Sequence, residues 1–262
     1  MANIQEISQM VLLTPIFELL KFFYGFSGNF GLAIILMTIF IRTILVPFTL
    51  PTIRSQKKMR LLKPEIDKLK KLHSKDAQKL QKAQMELFKE HGVNPLAGCL
   101  PYIVQLIVII ALYNVLSQFI QKAGAQGLEI NANFLGLDLS KPDPFYVIPV
   151  LAAVTQFIMS LMLLPGLEKH DLVPDKSKNK KTQEKNEKES QTQEMAEVMQ
   201  KQMVFMMPLM TGLFAVGFPA ALGVYWIVTT VYSIVQQWFV AGPGGLADVP
   251  ATIRKFAKRS SI

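Results

Sequence analysis

Apolar runs long enough to cross a bilayer alternate along this chain with short segments crowded with lysine. The first, Gly31 to Pro51, reads GLAIILMTIFIRTILVPFTLP and is almost unbroken except for Arg42. Further runs cover Leu96 to Phe119, Phe145 to Leu164, Met203 to Phe218 and Ala220 to Val240. A hydrocarbon core about 30 Å thick takes roughly twenty helical residues to cross. The pattern therefore predicts an all-α, polytopic membrane protein with transmembrane helices at 29–51, 95–119, 145–165, 203–218 and 219–240.

Between the runs the pattern changes period or disappears. In residues 1–28, Ile16, Leu19, Leu20, Phe23 and Tyr24 recur at helical spacing opposite Glu18, Lys21 and Ser27. This predicts an extracytoplasmic amphipathic segment, lying in the membrane interface or packed on its own bundle. Residues 52–94 predict a cytoplasmic helical hairpin, with Leu62, Ile66, Leu69 and Leu72 on one stripe and Leu80, Met85, Leu87 and Phe88 on another. A turn at 73–75 would join them, Ser74 or Asp76 would cap the second helix, and Gly92, Asn94 and Pro95 would end it. Residues 120–144, with NANFLGLDLSKPDP, read as an extracytoplasmic loop. Residues 166–202 contain KSKNKKTQEKNEKESQTQE and read as a flexible cytoplasmic loop, and 241–262 as a cytoplasmic basic tail.

Composition agrees with the span pattern. Half of the residues are hydrophobic, and the mean hydropathy of +0.29 exceeds what a soluble domain needs for its core. The net charge of +9 matters for where it sits. Lysine and arginine crowd the 52–94, 166–202 and 241–262 segments, while Lys122 and Lys141 are the only basic residues of the 120–144 loop. That asymmetry orients the chain with its amino terminus outside and its carboxyl terminus in the cytoplasm. Cys99 is the only cysteine, so no intramolecular disulfide forms. No cleaved signal is expected, since the first residues lack a basic start and a small-residue cleavage pattern.

Arg42 is the residue that demands an explanation. In a straight helix through the first run it would lie roughly 15 Å from either end, too deep to snorkel. Thr38 and Thr49 share its face at helical spacing, and no predicted span contains Asp or Glu to neutralise it. A structural role with neutral neighbours is one reading; a cation available to a negative charge from outside the chain is the other. Tyr225, Thr229, Tyr232 and Gln236 form one polar stripe on the last span, and Trp226, Thr230, Ser233 and Gln237 a second, of which only one can face Arg42 squarely. Ordinary interhelical hydrogen bonding would explain either stripe equally well. Met199, Met203, Met206, Met207 and Met210 cluster near the fourth span and read as buried packing before they read as a greasy substrate surface.

Chemistry of other kinds has little support. His73, His91 and His170 fall in predicted cytoplasmic segments, and no metal-ligand spacing, phosphate loop or nucleophile-plus-base pairing is visible. No catalytic residue, metal, cofactor or specific nucleic-acid binding is predicted, and the chain does not read as an enzyme.

The stretch HGVNPLAGCLPYIVQ, His91 to Gln105, together with IRTILVPF around Arg42, the basic hairpin after it and GVYWIVTTVYSIVQQW in the last span, resembles the YidC/Oxa/Alb membrane protein insertases. The resemblance runs from about Pro15 to about Val240. It implies a core of five spans around a hydrophilic groove that opens to the cytoplasm and to lipid. It also implies a substrate-binding role for Arg42, with Thr38, Gln105, Gln156, Tyr225, Trp226 and Thr229 as further lining. Nascent membrane proteins and the lipid bilayer are the implied partners in a bacterial plasma membrane, and the ribosome and the secretion channel are candidates. Set against that family, the sequence is expected to be a short form, without the large extracytoplasmic domain or the lipoprotein signal of some bacterial members. A long basic tail is not expected either, which argues against strong ribosome binding. An anion channel or transporter, and an assembly scaffold without translocation activity, are the competing readings of the same residues.

Overall fold

The computed structural model of the chain describes residues 13–73, 76–93, 100–125, 130–163 and 205–248. It is mostly helical. In order come α1 (Thr14–Ser27), α2 (Phe30–Ile44), α3 (Val46–Leu61), α4 (Lys63–Leu72), α5 (Ala77–Glu90), α6 (Leu100–Ala125), β1 (Asn133–Phe134), β2 (Leu137–Asp138), α7 (Val147–Leu163), α8 (Phe205–Val216), α9 (Ala220–Ala241) and a 3-10 turn, Gly244–Asp248. The loop expected at 166–202, most of the basic tail, Met199 and Met203, and residues 94–99 of the NPLAGCLP motif lie outside the described residues.

The first apolar run does not form one straight helix. α2 ends at Ile44, α3 starts at Val46, and the chain bends by 69° between them. Pro47 supplies the reason, since it has no N–H to donate and its ring crowds the carbonyl four residues back. Proline is at home in the first turn of the next helix, where that donor has no partner anyway. Among the described residues no single helix is long and apolar enough to cross a membrane, but the bent α2–α3 pair is, by length and composition.

The chain divides into two compact units. The first comprises Met1–Phe48, Cys99–Gln156 and Pro208–Val235. Its core joins Leu20 of α1, Phe30, Ile34 and Met37 of α2, Leu112, Val115 and Phe119 of α6, and Ala221 and Leu222 of α9. Phe119 is the hub: its ring stacks on Phe30 at 5.6 Å and meets Phe17 and Tyr24 edge-on at 5.8 and 5.4 Å. Such pairs add about 0.5–1.5 kcal/mol each beyond area burial. Glycines bring helices close, since a Cβ on Gly223 of α9 would collide with Ile148 of α7, and one on Gly212 of α8 would meet Ala153 of α7 at 3.2 Å. α1 buries Leu20 in this core yet leaves Phe22 and Phe26 67% and 80% exposed. It packs on its own bundle by one edge and carries aromatic surface on the other.

A loop ties the helix starts of this unit together, and it holds the only strands among the described residues. β1 and β2 pair antiparallel, Asn133 opposite Asp138 and Phe134 opposite Leu137. The connecting Leu135 and Gly136 both have positive φ, 52° and 83°, as a tight primed hairpin turn demands. Backbone carbonyls of the loop then satisfy amides that helix N-termini leave unpaired: Asn131 accepts from Phe30 at 3.0 Å, Lys141 from Ala220 at 2.8 Å and Leu139 from Ala221 at 3.0 Å. Asp143 caps α7, accepting from the amides of Phe145 at 2.9 Å and Ile148 at 2.7 Å. Phe134 lies so close over Gly31 that a Cβ there would collide with its Cβ, Cγ and Cδ2.

The second unit comprises Thr49–Gly98, Phe157–Met207 and Gln236–Ile262. Leu62, Leu80, Leu87 and Val93 are buried in it, whereas Leu72, at the tip of α4, and Met85 are exposed. Leu72 is the last residue of α4, beside the turn. Of the two candidate caps Asp76 serves, accepting from the Lys79 amide at 2.9 Å. That bond and the Lys79 ammonium hold its carboxyl below the usual carboxylate range. Gly92, at φ 61°, follows α5. The last turn of α3 is fixed by Arg60, whose Nη1 donates to the Met162 carbonyl at 2.8 Å and Nη2 to the Ala241 carbonyl at 3.1 Å.

Candidate functional site

The bend at Leu45 changes the setting of Arg42. It sits in the last turn of α2, not midway along a straight span, and a cation there meets the partial negative charge of a helix C-terminus. The guanidinium is half-buried. Its Nη2 donates to Oε1 of Gln105 on α6 at 2.9 Å, and Nε2 of Gln105 donates to the Tyr225 hydroxyl on α9 at 3.4 Å. The first bond is charge-assisted and fixes which way the amide points. Among the described residues no carboxylate forms an ion pair with Arg42.

The stripe of α9 that turns toward the first apolar run is the one carrying Tyr225. Within the first unit Tyr232 donates to the Thr43 hydroxyl at 3.2 Å, and Thr43 in turn donates to its own helix at Ile39. Within the second unit Gln236 donates to Thr49 at 2.6 Å. Thr49 thus belongs to α3 and bonds within the second unit, whereas Arg42 belongs to α2. Spacing does not single out Thr43, since it lies one residue beyond Arg42.

The remaining expected lining residues are placed as follows. Thr38 is 2% exposed and its hydroxyl donates to the Ile34 carbonyl at 2.6 Å, within its own helix. Thr229 is buried with no partner for its hydroxyl, the kind of atom that ordered water satisfies. Gln156 and Trp226 are half-buried and stand outside the Arg42–Gln105–Tyr225 chain of bonds. On the other stripe, Gln237 is fully buried with both amide atoms unpartnered. Among the described residues, no group of three His, Cys, Asp or Glu side chains comes together as a metal site would require.

The outer surface carries Phe26, Ile107, Val150, Val154, Leu213 and Phe239 largely exposed. Apolar area on this scale is costly in water and comfortable in lipid. Fold and site thus define a helical membrane protein with a half-buried arginine that, among the described residues, has neutral hydrogen-bonding groups and no ion-paired carboxylate around it.

Comparison with known proteins names the family. The model described as 60Kd inner membrane protein matches residues 22–243. The membrane protein insertase MisCA of Bacillus subtilis (strain 168) is 35% identical over 234 residues, covering 87% of this chain and 77% of its own. Membrane protein insertase YidC 2 of Bacillus anthracis is 36% identical over 235 residues, covering 87% and 79%. The YidC of Fusobacterium nucleatum is 35% identical over 237 residues, covering 87% and 98%. A crystal structure of active YidC insertase, with its first transmembrane domain resolved, shares the fold at a TM-score of 0.59 and 24% identity. It is matched over 88% of this chain, which spans 46% of that one. The chain belongs to the 60 kDa inner membrane protein family, the YidC/Oxa/Alb membrane protein insertases. That is a family of bacterial inner-membrane insertases rather than of classical enzymes.

Proposed function

We propose that this chain inserts nascent membrane proteins through a hydrophilic groove in which Arg42 attracts acidic residues of the segment to be passed outward. The observation that carries this reading is the state of Arg42: half-buried, held by neutral Gln105 at 2.9 Å, and without an ion-paired carboxylate among the described residues. Among the described residues one of the five guanidinium N–H groups is used, on Gln105, so others can meet a carboxylate. Away from bulk water that attraction is several-fold stronger than in solution. The unpartnered hydroxyl of Thr229 supports water inside the same helical framework.

Five spans would enclose the groove, with the amino terminus outside and the carboxyl terminus in the cytoplasm. Thr38, Gln156, Trp226 and Thr229 would extend its wall beyond Arg42, Gln105 and Tyr225. The α4–α5 hairpin would guide substrate at the cytoplasmic mouth, where the ribosome and the secretion channel are candidate partners. Once the polar end has crossed, the apolar helix leaves sideways into lipid, driven by burial worth about 25 cal/mol per Å². No nucleotide is needed for such a path.

The test is insertion of single-span substrates with acidic or neutral tails by protein carrying Arg42→Ala or Arg42→Lys. Lysine should work nearly as well as arginine, because a wet groove needs a positive field more than a planar fork. Alanine should lose the acidic-tail substrate selectively. Equal insertion of both substrates by all three proteins would remove Arg42 from the mechanism.

A further inference from the structure

Arg60 lies one residue before the end of α3, and α4 begins three residues later at Lys63. It is therefore the root of the hairpin. Its two terminal nitrogens reach the carbonyls of Met162, in the last turn of α7, and Ala241, the last residue of α9. The planar guanidinium is suited to holding two acceptors at once, and a cation at two helix C-termini also meets their partial negative charge. Lys57, one turn back, extends the contact with Nζ 3.4 Å from the Val240 carbonyl.

Gly244 closes the arrangement from the other side. Its φ of 56° favours glycine, and a Cβ there would collide with both the Met162 carbonyl oxygen and Arg60 Nη1. The carbonyl pair, the fork and the bare glycine thus pack together at the hairpin root. A guanidinium stays charged throughout the physiological range.

We propose that Arg60 is a positioning residue for insertion: by clamping the ends of α7 and α9 it fixes the direction in which the α4–α5 hairpin leaves α3 and so presents substrate. This rests on the guiding role of the hairpin proposed above. The sequence alone hides the clamp, because Arg60 looks like one more basic residue of a cytoplasmic segment.

The experiment uses the full chain in proteoliposomes, with Cys99→Ser and spin labels at positions 68 and 239. Arg60→Ala, Arg60→Lys and Gly244→Ala are compared with the parent for the width of the label distance distribution and for insertion against substrate concentration. All three should broaden the distribution. Each should raise the half-saturating substrate concentration, by roughly tenfold for Arg60→Ala, with the maximal rate within about twofold. Lysine should fall between, since one nitrogen cannot hold two carbonyls in a fork. Should Arg60→Ala not fold, the other two variants carry the test. Unchanged distributions would overturn the clamp. Broadened distributions with unchanged insertion would overturn the positioning role. Neither result touches the Arg42 reading, whose own test is whether Arg42→Ala loses the acidic-tail preference of the parent protein.

Discussion

Giving Arg42 a carboxylate of its own should abolish its appetite for one from a substrate. Gln105→Glu does this with little change of shape, placing an anion where Oε1 now accepts from Nη2 at 2.9 Å. The Tyr225 hydroxyl, which now receives a hydrogen bond from Gln105, can reverse and donate to the new carboxylate, so the local network stays satisfied. At that separation and an effective dielectric of about 20 the gross attraction is about 6 kcal/mol. Desolvation of the carboxylate returns much of it. A net gain of ~1–3 kcal/mol, typical of a charge-assisted bond, remains. A substrate acid would have to displace that pair, which reduces its advantage by roughly 5- to 150-fold. The assay is reconstituted insertion of matched substrates whose tails differ only by Asp against Asn. Gln105→Glu should insert the neutral-tail substrate at the parent rate and treat both alike, whereas Gln105→Leu, which adds no anion, should keep the acidic preference. A Gln105→Glu variant that still favours the acidic tail would refute the reasoning.

Two further outcomes follow from the loop over the helix starts. Gly31→Ala should displace Phe134, whose Cβ and ring atoms occupy the space, lowering thermal stability by about 1–3 kcal/mol as an overpacked contact does; adding Phe134→Ala should recover part of the loss. Asp138 has its carboxyl held below the ordinary range by the Ser140 hydroxyl first and by Lys141. Its contribution is present above the unfolded pKa of about 4 and is lost as pH falls through the depressed folded value. Denaturation followed from pH 6 down to pH 3 should accordingly show a smaller acid-linked loss for Asp138→Asn than for the parent, and identical profiles would exclude the effect.

The residues that meet around Arg42 are of types that hydropathy makes conspicuous. An arginine in an apolar run and the polar stripe Tyr225, Tyr232 and Gln236 stand out at helical spacing; Tyr232 and Gln236 bond to the first run, and Tyr225 to the Gln105 that holds Arg42. What spacing could not supply was the bend. Hydropathy sums across Leu45 without regard to backbone geometry, so Thr38, Arg42 and Thr49 look like one face of one helix. Pro47 was the available signal, and it also moves Arg42 from mid-helix to a helix C-terminus. Thr38 shows a second limit, since a threonine in a helix often satisfies its hydroxyl on the preceding turn, as this one does on Ile34. The loop at 130–143 was legible as turns but not as a set of caps, because its acceptors are backbone carbonyls that carry no sequence signature. The clamp of Arg60 was hidden for a related reason: both of its acceptors are main-chain oxygens far away in sequence.

The central claim, that a substrate's acidic segment comes to rest beside Arg42, is tested most directly by photocrosslinking during insertion. A benzophenone amino acid replaces Trp226, adjacent to Tyr225 and half-buried, or Ile107, which is 52% exposed on the outer surface of α6. With a stalled single-span substrate, position 226 should form adducts with the acidic tail, and these should weaken when the tail acids become amides or Arg42 becomes alanine. Tail adducts confined to position 107, or adducts at 226 indifferent to both changes, would contradict the account.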